Sequence, residues 1–575
     1  MTYRSGVQLV VCGLGSLFAL VVMHGCATLT PSETVTGPGK GVSAEEALTL
    51  AMNWASQAPS IHDTEERANA WMRCAVLAHD AMASDRASTQ DAAASLATSC
   101  SRWYIDTLAQ GDIIDVHTGH MVLGRHLLRV QYRGLPESLG EHVWLESAEQ
   151  VSVDIFGGVR NHHDGFGVPL VAFAPTCKDR PICSLYPSEG IFRPATFWME
   201  GEPDSDHKGE SPVFVLQYPV TQPDDQVGAH AYRLADDLSA PYAQLAEHTN
   251  LRRLGWWGLI GGTAVGRRAG VFLFDDYDPN KTPIIMIHGL ASSPLIWARL
   301  SNAIIGDPQL HKRYQIWHVI YQTNAPLLVD RYRVQTYLDA AWKIVDPNGT
   351  APARQGGVMI GHSLGGVIAR LLCAKSVPAL WSAAFTVPLE SLRGNQNDLL
   401  LIKNVFQFTP YPGIDEEIFM AAPQHGSPAA GYWYGRIAQS LAWEEVPELT
   451  SLKHVAIENP NAIQGELLKD FRLGHISSLT SLMPDEPVTK VDSQLLPVAG
   501  VRYHTIAGVL PGQHPPGDGF VPLSSAIIPG AASTLIVHSN HRVPDNPQAI
   551  AAVLEILRHH DATPLNAAQA DTPQN

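Results

Sequence analysis

The spacing of apolar positions divides the chain into three stretches. Residues 43–110 carry them at helical spacing, as in Ala47, Leu48, Leu50, Ala51 and Trp54, which predicts a first helix there. Further helices are expected near 68–82 and 91–108. Ser43 and Glu46 have capping-box spacing, so each can take an orphan amide at a helix start. Residues 111–275 switch to short stretches such as 126–132 and 213–218, separated by Pro, Gly and Asp, which predicts a β-rich region. A helix is expected at 236–250, and the glycine-rich stretch around Trp256 and Trp257 reads as a loop. From 283 onward, apolar runs at 283–288, 314–321, 357–360, 418–422, 503–507 and 534–537 alternate with amphipathic stretches. Runs apolar on both sides belong to strands buried on both faces. The fold class of this half is therefore α/β, a mostly parallel sheet with helices on both faces.

The ends of the chain read differently. Arg4 precedes an uncharged stretch, 6–23, that is short for a span and shaped like a secretory signal. It ends at Met23-His24-Gly25-Cys26, which resembles a bacterial lipoprotein signal. That resemblance implies removal of residues 1–25, acylation of Cys26 and, with Ala27 next, an outer-membrane lipoprotein on the periplasmic side. Residues 26–42, rich in Thr, Pro, Ser and Gly, read as a tether, and 561–575 as a disordered tail.

The chain has 575 residues, 45 % hydrophobic and 17 % charged, an ordinary globular composition of about two to four domains. The expected division is 43–110 helical, 111–275 β-rich and 276–560 catalytic. A net charge of −17 repels polyphosphates, so nucleic acid is not an expected partner. Export makes disulfides admissible, and sequence proximity pairs Cys74 with Cys100 and Cys177 with Cys183. Cys373 is left as a buried thiol. No cysteine pair has zinc spacing with histidine, and neither a metal nor an organic cofactor is expected.

The chemistry starts at Gly361-His362-Ser363-Leu364-Gly365. This G-x-S-x-G follows an apolar strand and precedes a helix-compatible run, the context of a nucleophile elbow. Ser363 is the expected nucleophile, which needs a base and donors for an oxyanion. The amides of Leu290, after the first strand, and Leu364 are the expected oxyanion donors, with His288 a structural histidine. Asp518 in Gly517-Asp518-Gly519 is the expected acid, with Asp485 and Asp492 as rivals. His541 in Ser539-Asn540-His541 is the expected base, with His538 as rival. The pairs His162, His163 and His559, His560 read as surface or structural.

Five segments carry a resemblance over about 276–560: 288–294, the 361–366 elbow, 422–428, 518–522 and 539–541. Together they resemble the α/β-hydrolase superfamily, specifically bacterial lipase- and esterase-like serine hydrolases. The resemblance implies hydrolysis of a carboxylic, lipid or acyl ester through an acyl-enzyme. It also implies a cap from the insertions 378–412, with Trp381, Phe385 and Phe406, and 432–497, with Trp433 and Trp443. These aromatics read equally as core. The alternatives are an acyltransferase with the same triad and a non-catalytic binding or scaffold lipoprotein working through residues 44–275. An ester or lipid substrate and a membrane, through the anchor, are the expected partners. A protein partner of the N-terminal half stays open.

Overall fold

The computed structural model describes residues 30–31, 42–109, 113–123, 126–203, 210–248, 268–428, 446–473, 480–483 and 487–560. The signal, Cys26, nearly all of the tether, Trp256, Trp257, Trp433, Trp443, Asp485 and the tail lie outside them.

Three helices come first: α1 (Ala44–Gln57), α2 (Thr64–Ala81) and α3 (Ala87–Ala109). Ser43 caps α1 by accepting from the Glu46 amide at 3.2 Å. Asp63 caps α2 through the Glu66 amide at 2.9 Å, which starts that helix earlier than its apolar pattern predicts. Alanines buried along the facing sides let the three pack closely, and the Cys74–Cys100 disulfide joins α2 to α3.

The β-rich region closes on itself. Seven strands, β1 (Ile114–His117), β2 (His120–Leu123), β3 (His126–Arg133), β4 (His142–Ser147), β5 (Val168–Ala174), β6 (Ile191–Pro203) and β7 (Glu210–Gln217), form a barrel in the order β3-β2-β1-β4-β5-β6-β7, and β7 returns to β3. An odd number of alternating strands must close with one parallel pair, and β3–β7 is that pair. Residues 213–216 do not alternate as the sequence pattern suggested: all four are buried. Helix α3 covers that part of the barrel, with Tyr104 against Phe214 at 5.3 Å, so both faces of β7 exclude water.

Helix α4 (Ala240–His248) is shorter than expected, because Asp236 and Asp237 pair as a strand with His163 and His162. The second sheet follows: β8 (Gly270–Leu273), β9 (Thr282–Ile287), β10 (Tyr314–Ile320), β11 (Gly357–His362), β12 (Ile414–Met420), β13 (Arg502–Val509) and β14 (Ser533–His538). Their order is β8-β10-β9-β11-β12-β13-β14, with β8 antiparallel and every other pairing parallel. The sheet therefore takes in β8, which the sequence reading placed in the accessory region. Four residues are too short a run to show a period. Strand β12 begins at Ile414 rather than 418 because the buried Glu416 is paired: it binds Arg502 and His504, each at 2.6 Å.

Side-chain alternation splits the core. Ile284, Met286, Val358 and Ile360 meet α5 (Ala298–Ile305) and α13 (Pro547–His559) on one face. Ile285, Ile287, Met359 and Phe419 meet α6 (Leu327–Val345) and α7 (Leu364–Leu372) on the other. A helical cap of α8 (Ala379–Ala384), α9 (Gln396–Phe406), α10 (Pro447–Glu458), α11 (Gly465–Leu473) and α12 (Pro487–Asp492) adds to that second face. Trp381 stacks on Phe385 at 4.4 Å, Phe385 meets Phe406 edge-on at 5.2 Å, and all three are cap core. Among the described residues no helix is long and apolar enough to cross a membrane.

Candidate active site

Five strands end in register. Ile287 pairs with Gly361, His362 with Met420, Met420 with Ile506, and Val509 with His538. The turns that follow these ends carry all five sequence segments, so one edge of the sheet collects them.

The elbow is locally strained. Ser363 has φ 54° and ψ −125° between β11 and α7, a conformation that side chains avoid and that surrounding packing must hold. Its neighbours are glycine because there is no room: a Cβ on Gly361 would lie 2.4 Å from the Gly365 carbonyl oxygen, and one on Gly365 2.1 Å from that of Ile287. The Ser363 amide donates to Met420 O at 3.0 Å, fixing the turn against β12.

The structure brings Ser363, His541 and Asp518 together. His541 Nε2 lies 2.9 Å from Ser363 Oγ, and His541 Nδ1 lies 2.7 Å from Asp518 Oδ2. Asp518 is 1 % exposed, and its other oxygen accepts from the amides of Phe520 and Val521, each at 2.8 Å. A carboxylate so held only accepts, so Nδ1 carries the imidazole proton and Nε2 faces the hydroxyl as acceptor. Of the rivals, His538 is exposed and its carbonyl accepts from Asn546. Asp492 is buried in the cap against Arg370, 3.2 Å away.

The turn after β9 presses on the serine. A Cβ on Gly289 would come 2.7 Å from Ser363 Cβ, so the chain just before Leu290 packs against Ser363. Tyr321 OH donates to His288 O at 2.8 Å, and the Ala291 amide donates to Thr323 Oγ1 at 3.2 Å. The His288 ring stacks on Tyr321 at 4.6 Å, and burial drives it down to about 4. It is a neutral structural ring, as expected. Leu364 opens α7, whose N-terminal end carries the positive pole of the helix dipole toward Ser363.

Segment 422–428 acquires a role that its sequence did not reveal: it braces the loop that carries Asp518. Ser427 Oγ donates to Phe520 O at 2.5 Å, Ser525 Oγ to Gly426 O at 2.5 Å, and the Gln424 amide to Ser525 O at 3.0 Å. Arg370 was missed altogether. It is fully buried in α7 and binds Gln424 Oε1 and Asp492 O at 2.5 Å each, together with Leu495 O, joining α7 to the cap. A charge in an apolar run was the available signal.

Cys177 and Cys183 are bonded, and Cys373 is a buried free thiol that burial pushes well up. His163 meets Asp236 at 2.9 Å, and buried His560 bridges Tyr314 OH and Asp415 at 2.8 and 2.7 Å, so both are structural.

A mostly parallel sheet with a Ser–His–Asp chain at its strand ends is the class of arrangement seen here. No family model matches the chain, and no curated protein does. Solved structures similar to about half of it are lipases, esterases and hydrolases. The mature lipase BlEst2 of Bacillus licheniformis is 16 % identical, over 50 % of this chain and 97 % of that one, with a TM-score of 0.27. The metagenomic carboxyl esterase MGS0156 is 15 % identical over 49 % and 76 %, also at 0.27. Lipase 1 from Pelosinus fermentans is 10 % identical over 48 % and 98 %, at 0.29. At these values the likeness carries no argument about chemistry.

Proposed function

We propose that the chain is a serine hydrolase of carboxylic esters of the α/β-hydrolase type. The observation that carries this reading is the unbroken Ser363–His541–Asp518 hydrogen-bond chain, at 2.9 and 2.7 Å. Ser363 Oγ attacks the ester carbonyl carbon while His541 Nε2 takes its proton. Asp518 holds the Nδ1–H tautomer and stabilises the imidazolium that forms. The amides of Leu290 and Leu364 bind the oxyanion, aided by the α7 dipole. His541 then protonates the leaving alcohol, and water, activated the same way, releases the acid from Ser363.

We also read the chain as exported and anchored through Cys26. Two disulfides support an oxidising compartment. Replacing Cys26 by serine is expected to move the protein from the membrane to the soluble fraction.

The test is fluorophosphonate labelling of the wild type, Ser363→Ala, His541→Ala, His538→Ala and Asp518→Asn, with p-nitrophenyl ester turnover in parallel. Loss with Ser363 and His541, but not with His538, is expected. A folded wild type that neither labels nor turns over, with and without detergent, overturns the reading and favours a binding protein.

A further inference from the structure

His362, the variable residue of the elbow, makes a contact that the sequence reading left unused. Its Nε2 lies 2.8 Å from the backbone carbonyl oxygen of His541. A carbonyl only accepts, so Nε2 carries the proton and Nδ1 is left bare. Nδ1 is buried with no hydrogen-bond partner among the described residues. The ring lies edge-on to Trp297 at 6.3 Å, and Nδ1 would be 3.2 Å from a Cβ on Gly289. An apolar ring would fill that slot without a bare Nδ1, but it would leave the His541 carbonyl oxygen without its donor. What only a donor supplies there is the bond to His541.

We propose that His362 is a positioning residue for the base, tying the His541 backbone to the strand end that presents Ser363. The inference rests on the triad reading above. His541 is then held at three points: Nδ1 by Asp518, Nε2 by Ser363, and its carbonyl by His362. The anchor and the nucleophile are consecutive residues, so a shift of the elbow carries the base with it. Geometry of this kind matters because a displacement of about 1 Å between reacting groups can cost about a hundredfold in rate.

The charge of the ring suits the role. Burial holds His362 well below the ordinary histidine range, and the nearby His541, Arg542 and His288 push it the same way, against the raising effect of its bond to the His541 backbone. A neutral ring 4.9 Å from the base places no like charge beside the imidazolium that forms in the reaction.

The test uses the full chain with His362→Phe and His362→Gln, reading the second-order rate of fluorophosphonate labelling against pH together with the melting temperature. Glutamine ends in an amide donor near the position of Nε2, and phenylalanine has none. Phenylalanine is expected to slow labelling at least about tenfold and to shift the acid limb of the profile. Glutamine is expected to return the rate to within about threefold of wild type, even where both variants lose the same thermal stability. Wild-type labelling by the phenylalanine variant, or equal slowing by both, overturns the proposal. If phenylalanine does not fold, His362→Asn, whose amide stops one bond short, takes its place with the same expectation and the same overturning results. A wild type that does not label at Ser363 fells the triad reading and this inference together. Ser363-dependent labelling with indifferent His362 variants fells this inference alone.

Discussion

At the scale of single residues, each side chain of the site is held by something near it in space. Asp518 is fixed by two amides of its own loop and by the loop 422–428 behind it. Asp518→Asn keeps that shape but offers Nδ1 a group that can donate. It is expected to lower kcat by roughly 10³–10⁴ with little change in melting temperature, as kinetics and thermal melts on one preparation will show. Glu417 is a different case. Burial pushes its carboxyl up to about 8, while the Cys373 thiol and Arg370 pull the other way. The folded protein thus holds a proton that the unfolded chain, with a carboxyl near about 4.3, releases much earlier. The stabilisation is complete below that lower value and is lost as pH rises through about 8. Glu417→Gln is expected to flatten the fall in melting temperature between pH 5 and 9, and an unchanged slope would refute this. Ser363, Asp518 and His541 were legible as a set that the fold brings together, because motif and chain order name them. His362 and Arg370 were not, because their partners lie 179 and 122 positions away.

At the scale of elements, two joints invite measurement. The Cys74–Cys100 link closes a loop of 26 residues between α2 and α3. Removing it by Cys74→Ser with Cys100→Ser is expected to cost about 3.5 kcal/mol in denaturant unfolding, by the chain-entropy estimate for a loop of this length. Arg370 is the joint between α7 and the cap. Arg370→Leu leaves the Asp492 carboxyl buried without its cation and is expected to cost about 3–5 kcal/mol. The double change Arg370→Met with Asp492→Leu is expected to recover most of that. A double variant no better than the single one would show that the network carries more than this pair. Helix positions were readable at this scale from period and caps. Strand β12 was misplaced because Glu416 and Glu417 look like surface residues until Arg502 and His504 meet the first of them.

At the scale of the whole molecule, helices, barrel and the second sheet share one continuous core. At the junction, Asn161 reaches Asn302 O at 2.7 Å, Arg193 reaches Asp276 at 2.5 Å, and Tyr242 packs on Phe274 at 4.5 Å. Cutting there exposes apolar surface and separates a buried arginine from its carboxylate. A fragment of 268–560 alone is expected to aggregate, and co-production with 42–248 to restore a soluble species; gel filtration distinguishes the two. A monodisperse, labelling-competent fragment would show the N-terminal half to be dispensable for folding. The sequence alone determined the helical, β-rich and α/β succession, because hydrophobic period is local and follows from 3.6- and 2-residue repeats. It also singled out Ser363, Asp518 and His541 as candidates, because the elbow and the chain order of the loops are written along the chain. Only the tertiary structure decided that the β-rich strands close into a barrel, that β8 joins the second sheet, that 422–428 braces the loop that carries Asp518, and that buried charges pair across the cap. Those outcomes depend on which distant segments pack together. A charged residue or a four-residue strand has no reading until its partner is in place.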